Sequence, residues 1–204
     1  LQFFSNVEIT EERAEAYDKI NLIIDVDEKN TGEATIGAGY SSSTKASIQL
    51  GLSEQNFLGK GQQLKAEANF GKETTLYDIS FAEPYLYDRD LYVKGDLYSE
   101  FQDSSSVNYE TEKVGFGISL GFPLSYDERI LTKYSLFNDK TIADSDATSY
   151  ERMLAGTNTV STAGYSFTSD KRNSPYKPSA GFKYVLTQDI AGLGGDSSFI
   201  KSTI

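Results

Sequence analysis

The chain has 204 residues, 38% of them hydrophobic, with 30 acidic against 19 basic residues and a formal charge of -11, a balance that disfavours any nucleic acid partner. Histidine and cysteine are both absent, which excludes Ser-His-Asp hydrolysis, thiolate metal sites and a disulfide framework. No apolar run reaches the ~18 to 20 residues of a spanning helix, but a mean hydropathy of -0.42 does not argue against a transmembrane barrel, in which half of each strand faces a polar lumen.

Residues 1–29 read differently from the rest. A short strand is predicted over 7–10, a polar connection over 11–19 and a stronger strand over 20–29. In that strand Ile20, Leu22, Ile24 and Val26 share a face opposite Asn21, Ile23, Asp25 and Asp27. The pair is expected to be a hairpin with one buried side whose partners precede Leu1, because two strands alone are marginal in water. The opening LQFFSNVEI has neither Met nor a basic n-region, so the chain is expected to begin inside a domain of a longer protein.

From Glu33 the pattern becomes a procession of alternating segments. Ala34, Ile36, Ala38 and Tyr40 form the first apolar set; Ala46, Ile48, Leu50 and Leu52 the second; Leu64, Ala66, Ala68 and Phe70 the third; Tyr77, Ile79 and Phe81 the fourth. The fifth sets Leu91, Val93 and Leu97 against Tyr92, Lys94, Asp96 and Tyr98. In the sixth, VGFGISLGF, Val114, Phe116, Ile118, Leu120 and Phe122 alternate with Gly115, Gly117, Ser119 and Gly121, a small-residue face that leaves room for a wide cavity or an inserted loop. Further strands are predicted over 128–137, 159–168, 180–188 and 197–204. Segments this long suit a tilted membrane crossing of ~9 to 11 residues better than the ~5 to 6 of soluble sandwiches. Connections at 42–45, 72–74 and 103–110 alternate with shorter or proline-bearing joins at Pro84 and Pro123, and the polar stretch 138–156 is predicted as one long external loop. A soluble β-sandwich or lipocalin-like barrel is the alternative these patterns leave open.

Chemistry-bearing motifs fail on inspection. Asp144-Ser145-Asp146 starts like a calcium loop but has Ser149 and Ala155 where glycine and glutamate are needed. GAGYSS at 37–42 precedes a strand where a dinucleotide site needs a helix, and Gly59-Lys60-Gly61 lacks the phosphate-loop spacing. Asp25 and Asp27 read as the solvated face of a strand. No catalytic, cofactor-binding or metal-ligating residue is expected, and no cofactor. Three clusters remain: SEQNFLGKGQQL, where Gly59 and Gly61 permit positive φ between strands; EPYLYDRDLYVKG, with tyrosines near a strand end; and GYSFTSDKRNSPYKPSAGF, where Asp170 and Arg172 are close enough to pair.

In this order, and with LQFFSNVEI, INLIIDVDEK and TGEATIGAGYSSS before them, these clusters resemble the BamA family of outer-membrane assembly proteins, especially its alphaproteobacterial members, over nearly the whole chain. The resemblance implies an all-β fold over most of the chain. Residues 1–30 would be the C-terminal part of the last POTRA domain, an α+β module. Residues 31–204 would be the first nine or ten strands, the N-terminal half, of a sixteen-stranded antiparallel transmembrane β-barrel. The family's later Arg-Gly-Phe-type motif and closing strand have no counterpart before Ile204, so the chain is read as a fragment.

What the resemblance implies for function is assembly and insertion of β-barrel proteins into the bacterial outer membrane, without enzymatic chemistry. The expected partners are unfolded outer-membrane protein clients, accessory assembly lipoproteins and outer-membrane lipid, and the N-terminal segment is expected in the periplasm. The first barrel strand, Glu33, Ala34, Thr35, Ile36, Gly37, Ala38, Gly39, Tyr40 and Ser41, becomes the edge on which client strands pair. Val114, Phe116, Ile118, Leu120 and Phe122 become lipid-facing, and Asp170, Arg172, Pro175 and Pro178 shape a periplasmic turn in which the ion pair contributes little. The rival readings are a two-partner secretion translocator and a passive porin-like channel.

Overall fold

The computed structural model describes residues 3–13, 19–41, 45–103 and 107–204. They fall into two units, Leu1–Gly32 and Glu33–Ile204.

The first unit is an antiparallel hairpin of β1 (Phe4–Arg13) and β2 (Ile20–Glu28), in which Val7 faces Val26 and Ile9 faces Ile24. The apolar face lies where the alternation puts it. Its apolar residues Val7, Ile9, Ile20, Leu22, Ile24 and Val26 are exposed, since two strands make a single layer and the described residues of this unit supply nothing to cover it. β1 also runs on through Glu11, Glu12 and Arg13, part of the expected connection; residues 14–18 of that connection lie outside the described residues.

The second unit is one ten-stranded sheet. Its strands are β3 (Gly32–Ser41), β4 (Lys45–Phe57), β5 (Gln62–Gly71), β6 (Thr74–Glu83), β7 (Tyr92–Asp103), β8 (Tyr109–Pro123), β9 (Glu128–Ala143), β10 (Gly156–Asp170), β11 (Lys183–Ala191) and β12 (Phe199–Thr203). Each strand lies beside its sequence neighbour, so β3 and β12 are the two margins of an open sheet. The turns after β4, β6, β8 and β10 lie at the rim where β3 begins, here the proximal rim, and the other connections lie at the distal rim.

Register turns alternation into two chemically distinct faces. Leu52, Ala66, Ile79, Leu97, Phe116 and Leu136 are directly paired in succession from β4 to β9, an apolar row across six strands. One residue along, the row on the opposite face reads Ser53, Lys65, Ser80, Asp96, Gly117 and Ser135. Large apolar side chains are mostly exposed, whereas the buried positions hold small ones such as Ala82, Ser161 and Ala191. That inversion suits a sheet whose apolar face meets lipid.

The stretch 138–156 is not one loop. β9 continues to Ala143, paired with Tyr109 of β8, and the connection proper contains a helix, α1 (Ser149–Leu154). A capping box starts it: the Thr148 side chain accepts the Glu151 N–H at 3.3 Å and Glu151 Oε2 accepts the Thr148 N–H at 2.7 Å.

Candidate functional site

β3 forms the N-terminal margin of the sheet. Thr35, Gly37 and Gly39 look toward Gly51, Gln49 and Ser47 of β4, while Ile36, 81% exposed, and Tyr40 stand on the opposite, apolar face. β4 is its one neighbour in the sheet order, so among the described residues no strand lies along its other side. All nine residues of the expected edge, 33–41, lie in this one strand. What it offers chemically is a row of backbone donors and acceptors.

The expected lipid-facing set lies together on β8. Val114, Ile118, Leu120 and Phe122 are exposed, and Phe116 is partly covered by Tyr134, its ring 6.4 Å away and tilted by 55°. On the opposite face the glycines have close neighbours. Glycines 115, 117 and 121 are beds for side chains from the flanking strands. A Cβ on Gly115 would come within 2.8 Å of Tyr98 Oη, one on Gly117 would strike the Asp96 carboxylate, and one on Gly121 would meet Leu131 Cδ1 at 3.1 Å and Tyr92 Cβ at 3.2 Å. Gly164 on β10 plays the same part for a longer span. It lies between Lys133 of β9 and Asp189 of β11, whose ion pair at 2.9 Å crosses above it.

At the proximal rim, Arg172 forms a bidentate fork on Asp170, with Nε donating to Oδ1 at 2.7 Å and Nη2 to Oδ2 at 2.6 Å. Asp170 ends β10 three residues beyond Phe167, past the apolar band. There the Arg172 hydrogen bonds, ahead of its charge, hold the carboxyl down to about 2. Pro175 and Pro178 do lie in this turn, but its closure belongs to Asn173, which sequence reading missed. Asn173 Oδ1 accepts the N–H groups of Ser179 and Ala180 at 3.1 and 3.2 Å, and its Nδ2 donates to Ser179 Oγ at 2.8 Å. Gly181 follows at φ +95°, where a side chain would strike the Lys171 carbonyl. A second ion pair, Arg129 Nη2 to Asp90 Oδ1, ties β9 to the turn before β7. Asp90, Tyr126, Arg129, Asp170, Arg172 and Pro175 help to line an open cleft of about 830 Å³. Among the described residues no three or more Asp or Glu side chains come together as a metal-holding group.

A model of the Omp85 superfamily domain matches residues 56–204. The chain is 29% identical over its whole length to an outer membrane protein assembly factor BamA of Nitratidesulfovibrio vulgaris, covering 26% of that protein. It is 26% identical over 98% of its length to the sorting and assembly machinery component 50 homolog A of Xenopus laevis, covering 44% of it. The chain therefore spans from about a quarter to less than half of these relatives. In fold it resembles BamA from Haemophilus ducreyi lacking POTRA domains 1-3, with a TM-score of 0.72 at 21% identity over 95% of this chain and 40% of that one.

Proposed function

The chain belongs to the Omp85 superfamily, and on that premise we propose that it supplies the leading strands of an outer-membrane barrel that assembles other β-barrel proteins into that membrane. β3 is the working edge. The observation that carries the reading is an apolar face running across the strands of one antiparallel sheet, with β3 at its N-terminal margin. In hydrocarbon an unpaired N–H or C=O costs several kcal/mol, so an incoming strand that satisfies those groups lowers the free energy without nucleotide or covalent chemistry. The names of the curated relatives, an assembly factor and a sorting and assembly component, support the same activity. Clients, accessory assembly lipoproteins and outer-membrane lipid are the partners this reading requires, with the segment before β3 in the periplasm.

Because the pairing is through backbone, a proline is the informative substitution. In the full-length protein Ala38→Pro removes a backbone donor from β3 and should abolish assembly of newly made barrel proteins, measured as their heat-modifiable folded fraction in isolated outer membranes. Thr35→Ser and Ala38→Val should leave that fraction unchanged. Equal assembly by Ala38→Pro and Ala38→Val, at matched levels of folded protein, would contradict the reading.

A further inference from the structure

β10 outruns one of its two neighbours. It is paired to β9 from Gly156 to Ser169, but β11 ends at Ala191, opposite Thr162, so residues 156–161 rise past it at the distal rim. In an antiparallel ladder alternate residues turn both backbone groups to the same side, and Thr157, Thr159 and Ser161 turn theirs away from β9. No strand among the described residues continues along that side. The connection 192–198 lies there instead. Asp196 does with one residue what a strand would do: its N–H donates to the Thr159 carbonyl at 2.7 Å, and its Oδ2 accepts the Thr159 N–H at 2.7 Å. The Gly192 N–H donates to the Ser161 carbonyl at 3.2 Å. This approach requires glycine. A Cβ on Gly195 would come within 2.5 Å of the Thr159 carbonyl oxygen and 2.9 Å of the Ser161 nitrogen, and Gly194 turns the chain at φ +89°.

We propose that 192–198 is an edge guard, in which Asp196 keeps distal β10 from pairing with a foreign extended chain and so confines strand addition to β3. The inference rests on β3 being the working edge, as above, and adds the residue that denies a second one. A bare strand edge is a template for any extended polypeptide, and a charged side chain on the edge is a deterrent to such pairing. Here the carboxylate stands where a neighbouring strand would put a carbonyl. An incoming strand must therefore displace a charge-assisted hydrogen bond before it can enter. Solvation alone does not call for the device. The Thr159 hydroxyl donates to Asn138 Oδ1 at 3.0 Å on an exposed rung above the apolar band, where water satisfies backbone groups that hydrocarbon would not. β3 shows the converse composition, with one charged residue, Glu33, among its ten.

The guard is tested at the edge it covers. Thr157→Cys is placed in full-length protein otherwise lacking accessible thiols, folded in detergent, and offered a short synthetic peptide of alternating threonine and valine with one cysteine. Disulfide adducts should be rare with Asp196 in place and rise several-fold with Asp196→Ala. Asp196→Asn, whose amide oxygen still accepts the Thr159 N–H, should keep them rare. Gly195→Val, which forces the connection off β10 with Asp196 intact, should raise them as Asp196→Ala does. Tyr150→Cys on α1, at the same rim but off the edge, should give one yield in every background. Amide exchange at Thr159 should quicken in the two releasing variants while the β9–β10 ladder stays protected. Adducts at Thr157→Cys that fail to rise although Thr159 exchange quickens would overturn the proposal. So would unchanged Thr159 exchange in Asp196→Ala, or a rise shared by Tyr150→Cys. Assembly of newly made barrel proteins is read separately with Ala38→Pro, so a failure of the β3 reading is distinguishable from a failure of the guard.

Discussion

The wall formed by β7 to β10 and the margin formed by β3 are written in the same alternating code, yet they use glycine in opposite ways. In the wall, Gly117 and Gly164 lie under side chains from their neighbours: the Asp96 carboxylate fills the place of a Cβ at 117, and the Lys133–Asp189 pair spans the strand at 164. At the margin, Gly37 and Gly39 have only Gln49 and Ser47 at 3.8 Å, ordinary contact distance. Gly117 and Gly164 hold the wall in register by the side chains they receive. At the margin the glycines leave the backbone bare of side chains, which fits the partner exchange proposed for β3.

The largest effect is expected where the wall meets lipid. Ile118→Arg should destabilise the full-length barrel by roughly 2 to 4 kcal/mol near the bilayer midplane, and Ser119→Arg by much less, in denaturant titrations on vesicles. Equal costs would remove the distinction between faces on which the comparison stands. The glycine contrast comes next. Gly164→Val drives atoms into Asp189 and into the Gln188 carbonyl, at 2.6 Å from the added Cβ, and should cost about 1 to 3 kcal/mol. Gly37→Ala should change stability by less than ~0.5 kcal/mol in the same titration. If the two costs coincide, the glycines of wall and margin are not different devices.

The smallest effect is confined to the distal rim. Thr148→Ala removes the cap of α1 and should cost about 1 kcal/mol of helix stability, seen as faster amide exchange over 149–154 with the strands unaffected. Hydrogen bonds from Thr148, then from the Asn108 N–H, hold the Glu151 carboxyl below its ordinary 4.5. A depressed carboxylate stabilises fully above its unfolded value and loses that contribution as pH falls through its folded one. The exchange protection of α1 should therefore persist above pH 4.5 and decay below it, and Glu151→Gln should flatten that dependence.

Much of the sheet was legible because its two solvents are so different. Ala34 to Tyr40 and Val114 to Phe122 declare their faces by strict alternation, and ten strands follow from repeating that reading. Alternation weakened where β9 rises beyond the apolar band. Asn138, Asp139 and Lys140 look like loop, yet the ladder continues because both flanking strands continue with it. α1 has only six residues, too few for a helical period, and Thr148 with Glu151 three places on was the one signal available. What occupies the space above a glycine cannot be read along a strand. Asp96 over Gly117, or Lys133 with Asp189 over Gly164, depends on cross-strand register, which a single chain of letters does not carry. The free side of β3 was legible only as the start of the procession, through the family resemblance.

The most direct measurement of the central claim uses the absence of cysteine in this chain. Single cysteines replace Ile36, Ala38 or Ile118 in full-length protein otherwise lacking accessible thiols, and a client carrying a cysteine in its last strand is stalled during assembly. Disulfide adducts with the client should form at Ile36→Cys and Ala38→Cys and be several-fold rarer at Ile118→Cys, within the wall. Adducts no more frequent at the β3 positions than at Ile118→Cys would contradict the account.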